Sequence, residues 1–148
     1  MKNIKEKPIE VPVGRIKHNS GPLISHGFTL CSALILDFGN EAIMAHALPL
    51  GTPGHIYKGP YATQRTVVQK ILEKTLEKGL DFSKAKAIIH TGEKETLERI
   101  SADLSKFKIP IEVTNLHKDP SKDRTILYDP STSYLGIRRT TENDIILV

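Results

Sequence analysis

The chain carries one thiol, Cys31, and six imidazoles, His18, His26, His46, His55, His90 and His117. Two of these groups fall on neighbouring apolar runs. Residues 30–36 and 42–48 flank the turn signal Asp37-Phe38-Gly39-Asn40, a pattern that predicts a β-hairpin. Opposed residues of an antiparallel hairpin share a constant index sum, and Cys31 with His46 has the same sum as Asp37 with Asn40. Without a bulge, the thiol and the ring are expected directly opposite each other on one face, with Cβ atoms roughly 4.5–5.5 Å apart. The same register pairs Ala33 with Met44 and Ile35 with Ala42 on that face. On the back it pairs Ser32 with Ala45, Leu34 with Ile43 and Leu36 with Glu41.

That juxtaposition suits nucleophilic catalysis by sulfur. A free thiol is mostly protonated at neutral pH. A neighbouring imidazole can take its proton, giving a thiolate–imidazolium pair, and can later protonate a leaving amine. A third group commonly orients the ring. Ser25 is a candidate, sharing the parity of Cys31 if the strand extends that far. Thr29, two residues before Cys31, is the alternative. The competing reading of Cys31 is a small core hydrophobe, a common fate of a free thiol. A zinc site from His26, Cys31, His46 and His55 is weaker, because no tandem ligand spacing is present.

Around the hairpin the punctuation is regular. Residues 1–10 read as a polar arm leading into a strand, and residues 18–22 as a turn. Residues 51–60, with three Gly and two Pro, read as a loop. A helix is expected over 62–78, with Val67, Val68, Ile71, Leu72 and Leu76 as its apolar stripe and Gly79 at its C-terminal cap. A strand follows at 85–89. A second helix is expected over 93–106, with Leu97, Ile100 and Leu104 buried and Thr91 as N-cap. Further strands are expected at 109–113, 125–128, 134–139 and 145–148, with a polar loop at 115–124. The sum is an α+β domain with antiparallel pairing dominant. Both runs of the hairpin are apolar on both faces, so it should be central, with material packed on each side.

Composition narrows the classes. The 148 residues fit one domain. A single cysteine excludes an intramolecular disulfide framework and a multi-Cys zinc finger. The net charge of +4 is spread along the chain, Trp is absent and aromatics are 5%, which argues against a nucleic-acid base platform. No apolar run approaches ~18 residues, so no membrane span is expected. The first ten residues hold no apolar signal-peptide core, and cytoplasm is the expected location.

The segment Ser25-His26-Gly27-Phe28-Thr29-Leu30-Cys31-Ser32-Ala33, with Ala45-His46-Ala47-Leu48-Pro49, resembles the chemoreceptor glutamine deamidase family, CheD. Members carry a Thr-x-x-x-Gly-Ser-Cys-Val-type stretch and a hairpin return ending Ala-His-x-x-Leu-Pro. Tyr61 and the helix after it, Gly79, the strand ending near Thr91-Gly92, Ile109-Pro110, and Arg124 before an Asp-Pro turn fall where a member has counterparts. The likeness spans about residues 11–140, and its specific part is Cys31, His46 and Leu48-Pro49.

The resemblance implies a layered α/β/β sandwich with two amphipathic helices, similar to the catalytic domain of the toxin cytotoxic necrotizing factor. It implies Cys31 as nucleophile and His46 as general base and acid. The family's Thr six residues before its Cys is Ser25 here. No metal or cofactor is implied. The implied substrate is a glutamine on the helical cytoplasmic part of a chemoreceptor, with hydrolysis of the γ-glutamyl methyl ester as a related activity. The implied regulator is a CheC-like phosphatase. Departures are the family Gly-Ser, here Thr29-Leu30, and two glycine-rich stretches, here His90-Thr91-Gly92 and Leu116-His117-Lys118. Lost glycines remove places where backbone can approach a ligand. They favour the rival reading, a catalytically impaired CheD-like binding module of a chemotaxis system. Another Cys–His amidohydrolase is the remaining alternative.

Overall fold

The computed structural model describes residues 6–49, 62–114, 123–139 and 146–147. Ten strands and two α-helices lie in these residues: β1 (Ile9–Glu10), β2 (Ile16–Asn19), β3 (Leu23–His26), β4 (Ser32–Asp37), β5 (Ala42–Ala47), α1 (Val67–Glu77), β6 (Lys86–His90), α2 (Lys94–Ser105), β7 (Ile111–Val113), β8 (Arg124–Asp129), β9 (Tyr134–Arg139) and β10 (Ile146–Leu147). The strands form two five-stranded sheets, ordered β2-β5-β4-β6-β7 and β1-β3-β8-β9-β10. Most pairings are antiparallel; β1 with β3 and β6 with β7 are parallel.

The apolar runs of β4 and β5 divide by alternation between two cores. Leu34, Leu36, Ile43, Ala45 and Ala47 face Val67, Ile71 and Leu72 of α1 and Ile100 and Leu104 of α2. Ala33, Ile35, Ala42 and Met44 face the other way, onto Leu23, Ile126 and Tyr128 of the second sheet. The result is helices, sheet and sheet in three layers, and the expected hairpin is its fully buried centre.

The hairpin closes one residue later than the sequence suggests. Phe38 N–H donates to the Glu41 carbonyl at 2.9 Å around the two-residue turn Gly39-Asn40. Gly39 supplies the positive φ of +102° that its place in the turn requires, and its N–H donates to Asp37 Oδ1. The register therefore slides by two residues. Ala33 opposes His46, Ile35 opposes Met44 and Leu36 opposes Ile43. The expected pairing of Cys31 with His46, and the pairs derived with it, are wrong in register. The faces are right, because a two-residue slide preserves parity.

The helices match their stripes except at Leu76, which is 67% exposed, and Leu97, which is half-buried, and their starts need two corrections. Helix α1 starts at Val67 rather than at 62, because Ala62 and Gln64 exchange backbone hydrogen bonds with Leu48. Gly79 takes φ +68° after it, the left-handed stop the sequence indicates. Thr91 does not cap α2, whose N-cap is Glu93. Its hydroxyl accepts the Glu93 N–H one step earlier. The expected loop 51–60, with His55, and most of loop 115–124, with His117, lie outside the described residues.

Candidate active site

Cys31 sits one residue before β4, and continuing the register sets it against Leu48 with His46 a diagonal step away. Such a step is roughly 7–8 Å, still within reach of a ring. Cys31 is the most exposed buried member of the inter-sheet core, at 9%, whereas His46 is fully buried.

Ser25 reaches the ring from the opposite sheet. The strand bearing Cys31 does not extend back to it, because Gly27 at φ +87° ends β3 and turns the chain toward the other layer. Ser25 opposes Ile126 on β8 and enters the inter-sheet space fully buried. Its Oγ donates to the Val11 carbonyl at 2.6 Å and lies 2.7 Å from His46 Nδ1. A carbonyl only accepts, so the single hydroxyl proton is committed to Val11. Nδ1 must then carry a proton and donate to Ser25, which leaves Nε2 as the bare nitrogen. Phe28, fully buried, stacks on the ring at 3.9 Å between centroids and 17° between planes. The ring is thus fixed in plane and in tautomer. Nε2 is buried without a hydrogen-bond partner among the described residues, Cys31 included.

Thr29 is not the group that steadies the ring. It lies in a bend outside any strand, and its hydroxyl donates to Asp123 Oδ1 at 3.2 Å. Asp123 acts on the pair through its charge instead. Burial pushes the Cys31 thiol up to about 11, and the Asp123 carboxylate adds to this. Burial pushes His46 down to about 4, with Asp123 opposing the shift and His26 reinforcing it. At neutral pH both groups are uncharged. The resting pair is a thiol and a bare ring nitrogen, not the thiolate–imidazolium expected from proximity alone.

A second polar cluster holds the backbone on either side of the thiol. Gln64, buried before α1, donates from Nε2 to the Leu30 carbonyl at 3.2 Å and to Ser32 Oγ at 3.3 Å. Its Oε1 accepts from Thr96 Oγ1 at 2.7 Å, and Ser32 Oγ donates to Thr91 Oγ1 at 2.8 Å. Both amide protons of Gln64 are therefore spent on Cys31's neighbours.

The sequence reading missed Phe28, Asp123, Gln64 and the Val11 carbonyl. No local pattern marks them, and β3 itself, Leu23-Ile24-Ser25-His26 between Gly21-Pro22 and Gly27, lacks apolar alternation. Among the described residues no group of three or more His, Cys, Asp or Glu side chains is arranged to hold a metal ion. His26 is hydrogen-bonded through Nδ1 to Thr125, and His90 to Thr114. No described helix is long and apolar enough to cross a membrane. No protein-family model and no curated protein sequence matches the chain.

Proposed function

We propose that this protein is a cysteine-dependent protein-glutamine deamidase, with Cys31 as nucleophile, His46 as base and acid, and Ser25 as the residue that orients the ring. The observation that carries the reading is the relay from His46 Nδ1–H through Ser25 Oγ to the Val11 carbonyl, which leaves Nε2 free to take a proton. A similar hydroxyl relay runs from His90 through Thr114 to the Ile89 carbonyl, so the stacking of Phe28 on the ring and the likeness to CheD are what favour His46.

In this reading Nε2 takes the thiol proton as Cys31 Sγ bonds to the carboxamide carbon of a substrate glutamine. The carbonyl π pair moves onto oxygen. The imidazolium then gives its proton to the nitrogen as the C–N bond breaks, releasing ammonia and leaving a thioester. His46 next takes a proton from water, whose oxygen attacks the thioester carbon. The C–S bond breaks, the sulfur regains its proton, and glutamate remains. The neutral resting pair makes His46 a general base in the first step rather than a permanent counter-ion. The likeness of Cys31, His46 and Leu48-Pro49 to CheD supports a helical chemoreceptor segment as substrate and a CheC-like phosphatase as regulator.

The test incubates the protein with a chemoreceptor cytoplasmic fragment and follows ammonia release and the mass increase of about 1 Da per glutamine. Cys31→Ala and His46→Ala are each expected to abolish both signals. Activity unchanged in Cys31→Ala removes the nucleophile. A folded wild type that binds the fragment without releasing ammonia supports the non-catalytic CheD-like module instead.

A further inference from the structure

Beside this site lies a charge that the reaction above does not use. Arg124 opens β8, is 2% exposed, and is the largest fully buried side chain among the described residues. Its Nε, Nη1 and Nη2 are all buried without a hydrogen-bond partner among the described residues. Alternation along β8 puts Arg124 on the face of Ile126 and Tyr128, which line the inter-sheet core. Ser25 opposes Ile126, so Arg124 enters the same interlayer two residues further along the strand. Its backbone is pinned there, since its carbonyl accepts from both Gly27 and Phe28 N–H at 3.1 Å. Phe28 is the residue that stacks on the catalytic ring.

A guanidinium keeps its charge in a protein and presents five donors in a planar fork. Burying that fork with no acceptor is costly, and natural cores rarely do so. The fork matches two oxygens on one carbon, and such pairs are frequently bidentate. Asp123, its chain neighbour, is the carboxylate whose field reaches both Cys31 and His46, which places this corner of the interlayer within electrostatic range of the thiol.

We propose that Arg124 is the acyl-oxygen binding residue of this site, pairing with the carboxylate that the deamidation leaves on the substrate glutamate. The inference rests on the proposed function for the identity of its ligand. The same donors meet the amide oxygen of the substrate as it gains negative charge, and the product carboxylate is the stable form of that charge.

N-acetyl-glutamate is the probe, with N-acetyl-glutamine, which keeps the α-carboxylate but has a neutral side chain, and sodium chloride at matched ionic strength as controls. Thermal unfolding of the wild type should shift upward with N-acetyl-glutamate concentration, as binding to the folded state requires. Chloride should give no comparable shift. Arg124→Met should weaken N-acetyl-glutamate binding by about tenfold or more. Its ligand-free Tm should hold or rise, because a buried guanidinium that has the Asp123 charge near it but no hydrogen-bond acceptor has been replaced by an apolar chain of similar length. No shift in the wild type, an equal shift with chloride, or a shift that survives in Arg124→Met overturns the proposal. Should Arg124→Met fail to fold, the Nε–H resonance of Arg124 in 15N-arginine-labelled wild type decides; it must move on adding N-acetyl-glutamate, and an unmoved resonance overturns the proposal. Cys31→Ser separates the two readings. A carboxylate shift that persists there supports Arg124 even where deamidation is never detected, and its absence there counts against Arg124 alone.

Discussion

Ser25 carries more of the site than its size suggests. Its hydroxyl links His46 Nδ1 to the Val11 carbonyl, and all three residues are buried. Ser25→Ala leaves a ring N–H and a carbonyl unsatisfied together, a loss of about 1–3 kcal/mol in stability. It also frees the imidazole to adopt the other tautomer, which would aim a proton rather than a lone pair at the thiol. The expected result is a fall of about ten- to hundredfold in kcat with KM little changed. Ser25→Thr keeps the hydroxyl and should recover most of kcat, while its extra methyl in a fully buried position costs about 1–3 kcal/mol. Ammonia release and urea denaturation of both variants check this. A threonine variant as inactive as the alanine one would take the hydroxyl out of the relay. At this scale the sequence told which residue types mattered but not their partners. Cys31, His46 and Ser25 were readable as chemistry-bearing groups. The Thr29 alternative failed because parity along a strand says nothing once the strand has ended. Phe28 and Asp123 act through contacts between distant segments, which no local pattern encodes.

Among the elements, legibility followed periodicity. The stripes of α1 and α2 and the two apolar runs of β4 and β5 repeat over several turns or pleats, and each was placed within a few residues. The hairpin register escaped because Gly39 can serve in either of two adjacent turns, and the choice rests on the Asp37 side chain accepting its N–H. Strand β3 escaped because four residues carrying Ser and His show too little apolar alternation to outweigh the turn signals around them. Gly27 is the joint between that strand and the thiol loop. A Cβ there would meet nothing closer than Val13 Cγ2 at 4.0 Å, so Gly27→Ala meets no steric wall, and its cost is the backbone conformation at φ +87°. That cost is about 1–2 kcal/mol if the conformation is kept. Because Ser25 and Phe28 stand on either side of the joint, relaxation of the backbone would displace both contacts to the ring. The expected outcome is a lower denaturation midpoint together with a loss in kcat greater than the change in KM. A Gly27→Ala variant of unchanged stability would show that the positive φ is not needed to hold the two segments.

For the whole molecule, the central consequence of the three-layer fold is that the His46 imidazole lies at the interface of two sheets rather than on a surface. Full burial sets the sign of a pH dependence. In the unfolded chain the His46 ring takes a proton near 6.5, and in the fold only near 4, chiefly because burial penalises the charged ring. Between these values the unfolded state binds more protons, so stability falls as pH falls. The contribution is complete above about 6.5 and is lost progressively down to about 4. A shift of this size corresponds to about 3 kcal/mol, a substantial share of the 5–15 kcal/mol that holds a typical domain together. Cys31 works at the other end of the scale. Its thiol ionises near 9 unfolded and near 11 folded, so its contribution is intact below 9 and fades as pH rises toward 11. Other acids titrate in the lower window as well, so the wild-type curve alone does not isolate the ring. His46→Gln keeps a side-chain amide able to donate to Ser25 while removing the titrating nitrogen. Urea denaturation of both proteins at pH 7 and at pH 4 therefore gives a difference of differences. The wild type is expected to lose about 3 kcal/mol more than His46→Gln across that interval. Parallel losses in the two proteins would mean that the ring is hydrated in the fold, and a hydrated ring would have no fixed tautomer with which to accept the thiol proton.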